Sequence, residues 1–126
     1  MSAHAALVVV ELLNAAGITA SLKTPTTRPR GGFCRVFLLG GNDVVPAGVT
    51  VSRAVEVEAW NPRPTPAVDL AEAAVSAILA AAGTRGIRHA RVESHIDELP
   101  TGEAGWERYR FAVRLEFRQP KERISR

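Results

Sequence analysis

Cysteine is nearly missing from this chain of 126 residues: Cys34 stands alone. It has no partner for an intramolecular disulfide, so the chain is not a disulfide-stapled secreted scaffold, and a reducing compartment is expected. Aromatic residues make up 6% of the sequence. That is too sparse for the basic stripe interleaved with aromatics that marks many RNA- and DNA-binding modules. No apolar run is long and unbroken enough to cross about 30 Å of hydrocarbon, so no membrane partner is expected. Met1-Ser2-Ala3-His4 lacks a basic region ahead of the apolar stretch, which argues against a secretory signal. What is present is ordinary globular usage, 46% hydrophobic and 23% charged. This excludes disorder of the whole chain, and the length suits one domain. We expect a single domain over residues 1–118 and a polar basic tail over residues 119–126.

The charge is unevenly spread. The formal net charge is +3. Arg108, Arg110, Arg114, Arg118, Lys121, Arg123 and Arg126 face only Glu107, Glu116 and Glu122 within residues 106–126, so that stretch is basic and the rest is close to neutral. Lys23 and Lys121 are the only lysines. Arginine suits bidentate contact with carboxylate or phosphate and is common at protein interfaces. A GC-rich genome produces the same excess. The basic end could touch nucleic acid or an acidic protein.

Hydrophobic spacing gives a coarse order of elements. Residues 3–16 read as a helix with Ser2 as cap and Gly17 as left-handed terminator. Ala3, Leu7, Val10 and Leu13 form its stripe, broadened by Val8, Val9 and Leu12, with Asn14 as a polar exception. Three successive valines leave a first strand as the alternative. Ile18–Lys23 alternates as a half-buried strand. Residues 24–32, with two prolines and two glycines, form a loop that is long for a hairpin connection. Phe33–Leu39 is apolar on both faces, Arg35 excepted, and needs cover on both sides, from helices on one and from another sheet or another subunit on the other. Gly40-Gly41-Asn42-Asp43 is a turn, followed by an irregular stretch through Pro46 and Gly48.

Val51–Trp60 is a third strand, with Val51, Arg53, Val55, Val57 and Ala59 on one face and Ser52, Ala54, Glu56, Glu58 and Trp60 on the other. Asn61-Pro62-Arg63-Pro64 breaks it. Thr65 as cap and Pro66 at the first position open a helix to Ala82, closed by Gly83, with Val68, Ala71, Val75, Ile78, Leu79 and Ala82 on its inner side. Ile87–Ile96 is a fourth strand, with Ala90, Val92 and Ile96 opposite His89, Arg91, Glu93 and His95. Residues 97–105 form a loop. Trp106–Arg118 is a fifth strand of near-perfect alternation. The order α-β-β-β-α-β-β lacks the regular alternation of a doubly wound fold. It predicts an α+β domain: a mixed, mostly antiparallel sheet of about five strands with both helices on one face and rows of Arg and Glu on the other.

Candidate chemistry is thin. His89 and His95 lie six residues apart on a strand, roughly 20 Å, too far to share a metal. Cys34 sits among apolar neighbours and reads as a small hydrophobe. Gly-x-Ser-x-Gly, Gly-x-Gly-x-x-Gly and the phosphate-cradling Gly-x-x-x-x-Gly-Lys-Ser/Thr are all missing. Asp97 and Glu98 are neighbours on a strand and point to opposite faces. No enzymatic activity, no metal and no cofactor is expected. What remains is surface. Trp60 beside arginines is either an interface anchor or a side chain folded over the sheet edge, and Trp106 reads as a cap on the hairpin. Long strands with arginine rows leave sheet edges to be paired or protected.

Phe33-Cys34-Arg35-Val36-Phe37-Leu38-Leu39-Gly40-Gly41, a short irregular link, Ala54-Val55-Glu56-Val57-Glu58-Ala59-Trp60 and a helix from near Thr65 together resemble the tail terminator proteins of long-tailed bacteriophages, especially those infecting actinobacteria. The resemblance spans about residues 5–118. Asn61, Cys34 and Leu38 depart from the residues usual at their places. The resemblance implies a homo-oligomeric ring, usually a hexamer, on the head-proximal end of the tail tube in the virion, assembled in the host cytoplasm. Such a ring stops polymerisation of the tail tube protein and docks the head-tail connector proteins. DNA passes through its lumen without specific binding. The family has no catalytic residues to carry over. By position, the loop Thr24–Gly32 and the turn Gly40–Pro46 are the expected contacts with neighbours or tube, with Arg28, Arg30, Arg35, Asp43 and Trp60 as the interface residues. Another head-tail connector or minor tail protein, and a small nucleic-acid-binding module of the cytosol, are the alternatives.

Overall fold

Asn14, the polar residue on the first apolar stripe, turns out to hold the sheet edge. In the computed structural model, which describes residues 5–39, 43–44 and 50–118, helix α1 spans Ala5–Ala15. The Asn14 amide donates to Ala20 O at 3.0 Å and accepts from Ala20 N–H at 3.1 Å. Both backbone groups of Ala20 are thereby engaged, and the Ser21 hydroxyl donates to Lys23 O at 2.6 Å, turning the chain. The strand expected over Ile18–Lys23 is therefore short: β1 is Ala20–Ser21. Gly17, at φ +86°, closes α1 in the left-handed conformation as expected, and Ile18 N–H reaches back to Leu13 O at 2.9 Å. The buried stripe of α1 is Ala5, Val9, Leu12 and Leu13, so the helix is turned from the expected face and Leu7 is exposed. The expectations at Ser2, Gly40–Asn42, Pro46, Gly48 and residues 119–126 lie outside the described residues.

The remaining elements are β2 (Phe33–Leu38), β3 (Asp43–Val44), β4 (Thr50–Asn61), α2 (Pro64–Ala80), β5 (Ile87–Glu98) and β6 (Glu107–Arg118). The sheet runs β1-β2-β4-β6-β5, with β3 also paired to β4. β1 and β2 are parallel and all other pairs antiparallel, which makes residues 22–32 a crossover and not a hairpin loop. This is the mixed, mostly antiparallel α+β sheet expected, in the order α-β-β-β-α-β-β with the two-residue β3 added. Val9, Leu12 and Leu13 of α1 and Ala71, Ala74 and Ile78 of α2 share one core with Val36, Val55, Val57, Phe111, Val113 and Leu115, which puts both helices on one sheet face.

α2 starts earlier than the sequence suggests. Arg63, not Thr65, is its N-cap, and no side chain caps it. Pro64 and Pro66 lack N–H groups, so the first turn leaves few orphan donors to satisfy. Asn61 Oδ1 accepts from Arg63 N–H at 3.1 Å and sets the approach of the chain. The buried face of α2 is Ala67, Ala71, Ala74 and Ile78. Three small side chains let the helix lie close to the sheet, and the expected Leu79 points to solvent. β5 also departs from simple alternation. Three register shifts against β6 rotate its side chains, and His95 ends up beside Glu72, Val75 and Ile96 on the α2 side, apart from His89 and Arg91.

Gly32 joins the β1–β2 crossover to the sheet at φ +91°. A Cβ there would stand 2.7 Å from Trp60 O and 2.8 Å from Asn61 Nδ2. At Gly17, φ +86°, a Cβ would meet nothing within 4 Å. Gly17→Ala should therefore cost only the left-handed strain, about 1–2 kcal/mol. Gly32→Ala should cost clearly more in the same urea titration, the difference measuring the clash with the Trp60 backbone.

Candidate functional site

The sheet face away from the helices is built from alternate residues of three strands. Register places Phe33 opposite Trp60, and Trp60 opposite Arg108. Phe33 stacks on Trp60 with ring centroids 5.4 Å apart and planes 17° from parallel. Trp106 closes the group at 6.4 Å from Trp60 and 6.0 Å from Phe33. Two guanidinium groups lie over the Trp60 ring, Arg108 at 5.1 Å and Arg28 at 5.7 Å. Trp60 is 5% exposed as a result. It lies on the charged face, as read from the sequence, but its indole is closed off within one protomer.

Burial of this group carries a charge with it. Glu58 is 4% exposed. Its carboxylate accepts from Trp60 Nε1 at 3.2 Å and faces Arg108 Nη1 at 3.7 Å. Arg108 in turn donates to Leu99 O at 3.0 Å and Pro100 O at 2.6 Å, and Arg28 pairs with Glu103 at 3.2 Å. The Thr101 hydroxyl accepts from Glu103 N–H at 2.8 Å. A buried carboxylate is tolerable when paired and hydrogen-bonded in this way. The cluster ties the β1–β2 crossover and the β5–β6 loop to the end of β4. The expected need for a second sheet or another subunit is thus corrected at this end: the protomer's own loops and aromatics bury Phe33, Glu58 and Trp60.

Further along the same face the charges satisfy one another. Arg114 pairs with Glu93 at 2.8 Å and donates to Ser52 Oγ at 2.9 Å. Arg91 lies 3.7 Å from Glu93, and Arg110 lies 3.5 Å from Asp97. Arg35 lies over the Phe37 ring at 5.0 Å, and its buried Nε has no hydrogen-bond partner among the described residues. Glu56 forms no ion pair among the described residues. Burial lifts its carboxyl above the ordinary value; Arg110 opposes the lift, while Glu58 and Asp97 add to it.

Of the interface residues expected from sequence, the structure brings Arg28, Arg30 and Trp60 to one end of the sheet. Arg30 and Arg28 line a cleft with Pro62, Glu103, Gly105 and Trp106. Arg35 sits on the same face, opposite Glu58 in register. Asp43 belongs to β3 and pairs with Ser52, eight strand positions from Trp60 and so roughly 26 Å away. Sequence reasoning missed Glu58, Glu103 and Arg108 as members, because their roles depend on the β4–β6 register and on loop closure. Cys34 is fully buried, and burial pushes its thiol up to about 12. It packs as a small apolar side chain. Among the described residues no group of three or more His, Cys, Asp or Glu could hold a metal, and no helix is long and apolar enough to cross a membrane.

Trp60→Ala should destabilise the protein by about 3–5 kcal/mol in chemical denaturation, with Trp60→Phe losing less. Glu56 sets a pH dependence. A carboxyl raised in the folded state holds its proton more tightly there, so its stabilising contribution is complete in acid and is lost as pH rises through the folded value. Glu56→Gln should therefore raise the melting temperature at neutral pH, and the gain should vanish at pH values acid enough to protonate Glu56.

No protein-family model and no curated protein matches the sequence. The fold does match a chain in the virion of a native gene transfer agent particle, with a TM-score of 0.60 and 14% sequence identity. The match covers 85% of this chain and 84% of that chain. At that identity the likeness lies in the fold, not in the residues of any site.

Proposed function

We propose that this chain is a structural component of a phage-like virion and, within it, the tail terminator. The observation that carries this reading is the fold shared over 85% of the chain with a component of a gene transfer agent virion. The resemblance of Phe33–Gly41 and Ala54–Trp60 to tail terminators supplies the finer assignment. In this reading copies of the chain form a ring on the head-proximal end of the tail tube. One surface of the ring matches the last ring of tube protein. The opposite surface cannot template another, so elongation stops, and the head connector docks there instead.

The architecture suits that role physically. An open sheet face on which Arg91, Arg108, Arg110 and Arg114 are engaged by carboxylates presents fewer groups that grip a passing phosphate backbone, as a DNA conduit requires. The edge strand β5 stays available for contacts with neighbours, whereas Asn14 already caps the short edge strand β1. β5 carries Arg88, His89, Arg91, His95 and Glu98 and three register irregularities, which guard it against indiscriminate strand pairing.

Deletion of the gene for this chain, followed by electron microscopy of the particles, tests the assignment. Tubes of uncontrolled length without heads are the expected result. Tails of normal length that lack heads would point instead to a connector, and normal complete particles would remove the protein from virion assembly.

A further inference from the structure

We propose that the cleft between the β1–β2 crossover and the β5–β6 loop receives the acidic stripe of helix α2, Asp69 and Glu72, from a second copy of this chain. The inference rests on the ring reading above and names the contact that would build the ring.

The cleft has a volume of about 320 Å³ and is walled by Arg28, Arg30, Pro62, Glu103, Gly105 and Trp106. Its charges do not balance, since two guanidinium groups face one carboxylate. Arg28 Nη2 is engaged by Glu103 at 3.2 Å, but its buried Nε donates to nothing among the described residues. Arg30 is exposed and forms no ion pair among the described residues. The Arg28 Nε is closed to an incoming group, so the surplus open to a partner is the positive charge of Arg30, and a carboxylate is the acceptor that answers it. Pro62 and the Trp106 indole offer flat apolar walls for the methylenes of an acidic side chain.

The complementary surplus lies on α2. Asp69 and Glu72 stand three residues apart on its outer side, exposed, and neither forms an ion pair among the described residues. The same stripe continues through Ser76 to Leu79, which is 39% exposed, so the acids adjoin an apolar patch. Pro62 walls the cleft and Pro64 begins α2, so both surfaces flank the same end of the protein. They lie on opposite sides of the sheet, however, and one copy cannot pair its own acids with its own cleft. Two different surfaces that meet between copies make a heterologous contact, and such contacts generate rings when the rotation closes.

Light scattering coupled to size-exclusion chromatography on the full chain tests this, over a range of protein and salt concentrations. The wild type should form a discrete oligomer that weakens as salt rises. Arg30→Glu, and separately Asp69→Lys with Glu72→Lys, should each raise the concentration needed for assembly by about tenfold or more. Combining the reversals should restore assembly. Unchanged melting curves would show that the variants fold. A wild-type ring indifferent to both reversals, or one that the combination fails to rescue, would overturn the contact while leaving the ring standing. A wild type that stays monomeric at every concentration would overturn it as well, with tail length then deciding termination on its own. Duplex DNA added as a competitor should not displace the oligomer; displacement that depends on Arg30 would assign the cleft to phosphate and also overturn the proposal.

Discussion

The burial of the Trp60 indole on the face without helices is the constraint on which the candidate site depends. A tryptophan on an open sheet face must be covered or lie in water. Here Phe33 stacks on it from the neighbouring strand, and Trp106 closes over from the β5–β6 loop. Arg28 and Arg108 lie over its ring while their own charges are met by Glu103 and Glu58. Trp60 therefore serves as a positioning residue. Together with the Arg28–Glu103 ion pair it fixes the two loops that wall the Arg28–Arg30 cleft.

The rest of the open face follows a different logic. Arg110 and Arg114 of β6 find Asp97 and Glu93 of β5 across strands, and Arg91 lies beside Glu93 along β5 itself, so this part of the sheet is tolerable in water without a second layer. Exposed pairs of this kind add little stability each. Their consequence lies in specificity, because charges that are already partnered do not recruit partners. Among the charged groups without an ion pair in the described residues are Arg30 at the cleft, Arg35 over Phe37, Glu56 in the middle of the sheet, and Asp69 and Glu72 on the far side.

Much of the fold was legible in the residues. The alternation of Tyr109–Phe117 and of Val51–Ala59 defined two long strands and their inner faces, and the Pro-flanked Ala-rich segment defined α2. The misreadings share a cause, which is that local pattern does not see partners. Thr65 looked like a cap, but two prolines left little to cap. Ile18–Lys23 looked like a full strand, but Asn14 and Ser21 take up its backbone and turn it. His95 looked coplanar with His89, but register shifts against β6 separate them. At the candidate site, Arg28, Arg30 and Trp60, chosen from the sequence, come together at one end of the sheet, while Glu58 and Arg108 were invisible until the β4–β6 register set them against the indole. Asp43 was chosen for the turn signal in the sequence, and its two-residue strand pairs with the other end of β4.

In the proposed reading, a chain that covers its own aromatic cluster and carries unpaired charges at its surface suits a ring subunit, which must fold before it meets its neighbours. The most direct measurement is a cryo-electron microscopy reconstruction of the particle at the junction of head and tail. The account predicts a closed ring of this chain between the last tube ring and the connector, with the Arg28–Arg30 cleft of each copy against α2 of the next. Density for this chain elsewhere in the particle, or none at all, would contradict it.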